Sequence, residues 1–174
     1  VFVFLVIINA INFIDGIDGL AITEIIKTIL IIEFFSANTT ALRPLGVLIV
    51  ICLLPLYYFN FKKKQKVFLG DGGSLFLGTI ISIYIFYVLG DEFQFKEGFK
   101  INKTLFSVLV ISYPLIDLFR VFILRIKDGE SPFTADKRHI HHVLLKKGLT
   151  AFKSNILFLI FYLLIFIMVW LIKT

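Results

Sequence analysis

Long apolar blocks alternate with short segments rich in glycine, charge and amide side chains. A helix that crosses a hydrocarbon core needs about 20 mostly apolar residues. Residues 42–61, 74–90, 104–126 and 154–172 meet that length or nearly so. Residues 21–37 form a weaker block, interrupted by Glu24, Lys27 and Glu33, and residues 1–8 read as the tail of another span. The pattern predicts an all-α, polytopic transmembrane helix bundle of about five to six spans. The apolar run at Val1 has no basic flank and no small-residue cleavage site, so it is not a signal peptide. Residues 1–174 are therefore expected to be the C-terminal part of one integral-membrane domain whose N-terminal spans are missing.

Positive charge orients the bundle, because short basic loops stay in the cytoplasm. Segment 61–73 carries Lys62, Lys63, Lys64 and Lys66 against Asp71 alone. Segment 125–153 carries Arg125, Lys127, Lys137, Arg138, Lys146, Lys147 and Lys153 against three acids. Segment 37–43 holds only Arg43, and segment 91–103 is balanced. The two basic segments thus read as cytoplasmic. Counting crossings back from them places residues 9–20 on the same face.

Composition adds little to this. The chain is 59% hydrophobic, against about 45–50% in soluble domains. Its net charge of +6 fits loops facing anionic lipid, so no nucleic-acid partner is expected. The single cysteine, Cys52, lies inside a predicted span and has no intrachain disulfide partner.

Three polar motifs converge on the predicted cytoplasmic face. The first holds Asn9, Asn12, Asp15 and Asp18, with Gly16 and Gly19 between and after them. If the helix continues from residue 1, an i, i+3 spacing stacks Asn9, Asn12 and Asp15, and the glycines then break the helix and free backbone N–H groups. Carboxylates beside free amides suit a metal–phosphate complex or a nucleobase. Two Asp-Gly pairs are also ordinary turn chemistry. The second motif, Gly70-Asp71-Gly72-Gly73-Ser74, precedes a helix expected to start near Ser74. A helix N-terminus favours a phosphate, and Asp71 suits the Mg²⁺ that accompanies it. The plain alternative is a capped turn.

The third motif runs from Ser131-Pro132-Phe133 to Asp136-Lys137-Arg138-His139-Ile140-His141-His142 and contains every histidine of the chain. Lys137, Arg138 and imidazoles together suit phosphate or sugar hydroxyls. A zinc site is disfavoured, since Cys52 is remote. Upstream, Asp117 and Arg120 lie one turn apart in a span and are expected to pair with each other.

The ordered set Asn9-x-x-Asn12-x-x-Asp15-Gly-x-Asp18-Gly-Leu20, Leu69-Gly-Asp71-Gly-Gly-Ser74-Leu-Phe-Leu-Gly78, Pro114-x-x-Asp117 and His139-Ile-His-His142 resembles the polyprenyl-phosphate N-acetylhexosamine-1-phosphate transferases. His-Ile-His-His, rather than three consecutive histidines, resembles the branch that uses UDP-N-acetylglucosamine. Family members often show Asp-Arg-x-His, whereas here the arginine is shifted by one, to Arg138.

The resemblance implies transfer of a sugar-1-phosphate from a UDP-N-acetylhexosamine to undecaprenyl phosphate. UMP is released and a cell-envelope polysaccharide begins. It implies Mg²⁺, with Mn²⁺ as a substitute, held by Asp71, Asn12 and Asp15. It also implies catalytic roles for Asn12, Asp15, Asp18, Asp71, His141 and His142, with Asp18 toward uridine. Substrate contacts from Asn9, Gly72, Gly73, Ser74, Lys137, Arg138 and His139 are expected, as are homodimers and a bacterial inner (cytoplasmic) membrane location. The family also carries a cytoplasmic Asp-Asp pair on an N-terminal span. That pair is absent here, since Asp91-Glu92 is predicted external, so this stretch alone is expected to be inactive. The competing readings are a noncatalytic relative and a transporter segment. A transporter would line mid-bilayer with polar residues rather than gather them at helix ends.

Overall fold

The computed structural model describes residues 1–62, 64–131 and 138–173, apart from the side chains at 170, 172 and 173. These residues form the helices α1 (Phe2–Ile14), α2 (Leu20–Phe35), α3 (Arg43–Asn60), α4 (Gly70–Leu89), α5 (Lys103–Val110), α6 (Ser112–Lys127), α7 (Ile140–Lys146) and α8 (Ala151–Lys173). Among the described residues there is no strand, only an isolated antiparallel bridge between Ser36 and Phe95.

Three helices, α3, α4 and α8, are long and apolar enough to cross a membrane. The pair α5–α6 makes a fourth if it is counted as one span bent by 74°. The all-α membrane bundle therefore stands, with three to four spans by length. The difference from five to six lies in α1 and α2, of 13 and 16 residues. At 1.5 Å per residue, α2 rises about 24 Å, short of a hydrocarbon core of about 30 Å.

α2 packs against α3, α4 and α8, and α1 against α4 and α6. Most of α2 is buried, including Glu24, Lys27 and Thr28, which explains how this helix carries charges inside an apolar block. α3 and α8 instead present Leu48, Ile51, Leu54, Leu163, Leu164 and Met168 outward, as lipid-facing helices do. α1 and α4 meet at Gly78, where an added Cβ would sit 3.0 Å from Ile8 Cα and 3.1 Å from its carbonyl oxygen. Small residues at such crossings let backbones approach and pack.

The block read as a continuous span, 104–126, breaks at Ile111. Pro114 supplies the reason. Its ring clashes with the carbonyl four residues earlier, Val110, and it has no N–H to close that turn. In hydrocarbon the freed groups need partners. Lys27 Nζ donates to Val110 O at 2.9 Å, and the Tyr113 N–H donates to Tyr162 Oη at 2.8 Å. Lys27 also pairs with Glu24 at 2.6 Å and lies over the Tyr162 ring, 3.1 Å from its centroid. The charges that weakened α2 as a span in sequence thus repair the break in its neighbour.

Hydrogen bonds between the loops gather the helix ends into two sets. At one end the Gly19 N–H donates to Asn60 Oδ1 at 2.5 Å, and Asn155 Nδ2 donates to Asp18 O at 3.0 Å. These bonds bring together the ends of α1, α2, α3 and α8. At the other end, Ala37 N–H donates to Gln94 O and Lys96 N–H to Phe35 O. There Phe35, Phe93, Phe95, Phe99, Phe106 and Phe166 form one aromatic cluster.

Candidate active site

The first and second motifs meet where α1 ends and α4 begins. Asn12 Nδ2 lies 2.7 Å from Ser74 Oγ and 3.4 Å from Asp71 Oδ1. Asp15 follows α1 as its C-cap, and its carboxylate accepts the Gly70 N–H. Burial and the neighbouring Asp71 charge push Asp15 up to about 7. Two carboxylates held close together, one partly desolvated, make a site that a cation would relieve. Asp71 is exposed and sits in the first turn of α4, where the helix dipole favours negative charge.

The second motif differs from expectation in register. α4 starts at Gly70, so Asp71, Gly72, Gly73 and Ser74 occupy its first turns rather than preceding it. Leu69 is its N-cap, with no side-chain cap bond, so neither Asp71 nor Ser74 acts as the cap. A Cβ on Gly72 would meet nothing within 4 Å among the described residues. A Cβ on Gly73 would sit 3.0 Å from the Leu69 side chain. Ser74 is wholly buried, bonded to Asn12 and to Asp71 O; it serves the α1–α4 seam rather than a substrate-facing surface.

The remaining first-motif residues divide. Asn9 is exposed, and its amide donates back to Leu5 O at 2.7 Å, within its own helix. Asp18 forms an ion pair with Lys66 at 2.5 Å. The Gly19 N–H, expected to be free, is taken by Asn60. Gly19 has φ +73° and is covered by Phe61 and Tyr57, so a side chain there would be both strained and clashing.

The third motif closes over the first. A Cβ on Gly16 would lie 2.7 Å from His141 Nε2 and 3.5 Å from His142 Nε2. His141 is wholly buried and its Nε2 has no hydrogen-bond partner among the described residues, while its Nδ1 is 3.4 Å from Tyr113 Oη. Burial and the neighbouring His142 bring His141 down to about 4, so it is neutral at neutral pH. Arg138 pairs with Asp128 and Glu130. Lys137, together with Pro132, Phe133 and Asp136, lies outside the described residues.

Asp117 and Arg120 do not pair with each other as expected. Asp117 is wholly buried; its Oδ2 lies 2.8 Å from His139 Nδ1 and its Oδ1 accepts the Ile140 N–H at 2.7 Å. Arg120 donates to Arg138 O at 2.7 Å. Both side chains of α6 reach across to hold the histidine segment, a long-range role that i, i+3 spacing hides. Asn60 was likewise missed. It is buried, and it ties Gly19 to Val67, to which its amide donates at 2.7 Å. A polar amide at the end of an apolar block was its only signal.

The donor set at the first two motifs is hard oxygen: the Asp15 and Asp71 carboxylates, with the Asn12 amide beside them. Among the described residues no three His, Cys, Asp or Glu side chains converge on one point. The two carboxylates and the amide fit Mg²⁺, which uses one or two carboxylates and completes its shell with water and phosphate.

Comparison with known proteins identifies the family. The family model for glycosyl transferase family 4 matches residues 1–89. An undecaprenyl-phosphate alpha-N-acetylglucosaminyl 1-phosphate transferase of Pasteurella multocida is 34% identical over 114 residues, covering 63% of this chain and 30% of that protein. A decaprenyl-phosphate N-acetylglucosaminephosphotransferase of Mycobacterium leprae is 34% identical over 158 residues, 82% of this chain and 39% of that protein. The Escherichia coli K12 undecaprenyl-phosphate transferase is 29% identical over 157 residues, 86% of this chain and 41% of that protein. The chain thus spans between 30% and 41% of the length of these relatives. No solved structure matches it. The chain is an integral membrane protein with several apolar helices, and it belongs to glycosyl transferase family 4.

Proposed function

We propose that this chain carries most of the active site of an enzyme that transfers N-acetylglucosamine-1-phosphate from UDP-N-acetylglucosamine to undecaprenyl phosphate, beginning a cell-envelope polysaccharide. One observation carries the reading: Asn12, Asp15, Asp71 and the His139–His142 segment gather at one end of a membrane bundle. The activities for which the relatives are named point the same way.

In this reading Asp71 and Asp15, with Asn12, hold Mg²⁺, or Mn²⁺ in its place. When bound, the ion neutralises charge on the diphosphate and makes its β-phosphorus a better electrophile. The residues themselves do the positioning. The first-turn N–H groups of α4 face the phosphates, and Gly72 leaves room for them. His141 Nε2 and His142 border the Asp15–Gly16 turn, where a phosphate or sugar oxygen would satisfy the orphaned imidazole atom. Asp18, paired with Lys66, is placed to exchange that partner for the uridine. A phosphate oxygen of the lipid attacks the β-phosphorus, and the bond to UMP breaks.

The gathered end faces the cytoplasm of a bacterial inner membrane, and α1 and α2 traverse with the longer helices to make about five to six crossings. A lipid acceptor then enters sideways from the bilayer while the nucleotide sugar arrives from water. The working form is a homodimer.

The test uses the full reading frame that carries this chain, in detergent, with undecaprenyl phosphate, UDP-N-acetylglucosamine and Mg²⁺. UMP release and lipid-linked sugar that require Mg²⁺ and vanish in Asp71→Asn are the expected result. Folded protein that releases no UMP from any UDP-N-acetylhexosamine would instead favour a noncatalytic relative.

A further inference from the structure

We propose that Asp117 is a positioning residue that locks His139 in its Nδ1-protonated form and anchors the start of α7, leaving Nε2 as the nitrogen His139 offers to a ligand. The functional consequence rests on the transferase reading; the tautomer does not.

A carboxylate accepts hydrogen bonds and donates none. Asp117 faces two neighbours at once. Its Oδ1 takes the Ile140 N–H at 2.7 Å, and its Oδ2 lies 2.8 Å from His139 Nδ1. Both partners must then be donors, so His139 Nδ1 carries hydrogen. The Ile140 N–H is an orphan donor of the first turn of α7, whose N-cap, His139, supplies no side-chain cap bond. Asp117 therefore acts as a cap delivered from another helix. It is wholly buried, so water does not compete for either bond.

The constraint passes on to His141. The His139 and His141 rings stack with centroids 5.4 Å apart and planes 6° from parallel. His141 Nδ1 lies 3.9 Å from the same Asp117 Oδ2 and 3.4 Å from Tyr113 Oη. Its other nitrogen, Nε2, is buried without a partner against Gly16. One carboxylate on α6 thus sets the height and tilt of the imidazoles that close over the first motif. An asparagine at 117 has a single acceptor oxygen, so it cannot satisfy both donors. Its NH₂ would face either the Ile140 N–H or His139 Nδ1, and in the second case the ring moves its hydrogen to Nε2.

The test reads the tautomer directly. ¹⁵N-histidine labelling of this chain in detergent gives only three ring systems to resolve, and His139→Gln assigns one of them. The expected spectrum at alkaline pH shows His139 protonated on Nδ1, with Nε2 bare. An Nε2-protonated His139 in the unmodified protein overturns the proposal. In Asp117→Asn the expected result is loss of one of the two bonds, read either as loss of the Nδ1-protonated signal or, where the amide oxygen keeps facing the ring, as a shifted Ile140 N–H resonance; both signals unchanged in folded protein overturn the proposal. In the full reading frame, Asp117→Asn is expected to lower kcat about 10–100-fold, the usual effect of losing a partner that orients a working imidazole. KM for the UDP-sugar should stay within about twofold, and Asp117→Glu should recover part of kcat. An unchanged kcat in Asp117→Asn overturns the positioning role. Should no sugar be transferred at all, the tautomer result still stands or falls alone.

Discussion

Replacing Lys27 by methionine removes the group that repairs the α5–α6 break, and the structure sets the scale of the damage. Lys27 Nζ makes a 2.6 Å ion pair with Glu24, a 2.9 Å bond to Val110 O and a close contact with the Tyr162 ring. Lys27→Met strands the Glu24 carboxylate, whose second oxygen already has no partner. Breaking one side of a buried ion pair costs about 3–5 kcal/mol. It also strands the Val110 carbonyl, worth about 1–3 kcal/mol. The two losses share one side chain and will not add fully, so a total of about 4–6 kcal/mol is expected. Glu24→Leu with Lys27→Met removes both charges and leaves the carbonyl and the Tyr162 hydroxyl as the main losses. The double variant should therefore recover about 2–4 kcal/mol relative to Lys27→Met alone. Unfolding in mixed detergent micelles, followed by helical circular dichroism across the cycle, measures each term. Lys27→Met within about 1 kcal/mol of the parent would refute the claim that this pair holds the break. A double variant worse than the single would refute the assignment of the cost to a stranded charge.

Four further outcomes follow from the polar end. Asn60→Ala leaves the Gly19 N–H and the Val67 carbonyl without their partner and should cost about 2–4 kcal/mol in the same unfolding assay. Gly16→Ala puts a methyl 2.7 Å from His141 Nε2; it should displace the ring and change its ¹⁵N shifts while α1–α4 packing, read by a Gly78 backbone resonance, is unmoved. Asp15 is raised from 3.8 to about 7, so its folded form binds the proton more tightly; that contribution to stability is complete below about pH 3.8 and is lost as pH rises through 7. Asp71→Asn lowers the Asp15 midpoint by removing the neighbouring charge, and ¹³C-carboxyl titration reads it. His141 is lowered from 6.5 to about 4; its contribution is present above pH 6.5 and lost as pH falls through 4, worth about 3 kcal/mol. His141→Gln should flatten melting temperature against pH in that window.

What the sequence disclosed and what it concealed divide along a physical line. Properties carried by local pattern were readable: the apolar blocks give the helices within a few residues, and loop charge gives the common end for three motifs. α2 shows where hydropathy misleads, because a helix surrounded by other helices can carry Glu24 and Lys27 while a lipid-facing one cannot. The break was readable in part: Pro114 predicts a freed Val110 carbonyl, but nothing along the chain says that Lys27, on another helix, supplies the donor. The same limit applies at the site. The spacing of Asp117 and Arg120 suggests a local pair, yet both reach over to residues 138–140. Long-range polar pairs in a membrane bundle are set by which helix ends share a leaflet depth, and sequence distance does not encode that. Each unexplained polar residue in a span is therefore best tested against helix ends at its own depth: Lys27 then finds the α5–α6 break, and Asp117 finds the start of α7. By the same rule, the Glu24 oxygen left without a partner calls for a donor at the depth of Tyr113 and Tyr162, beside the break that Lys27 already serves.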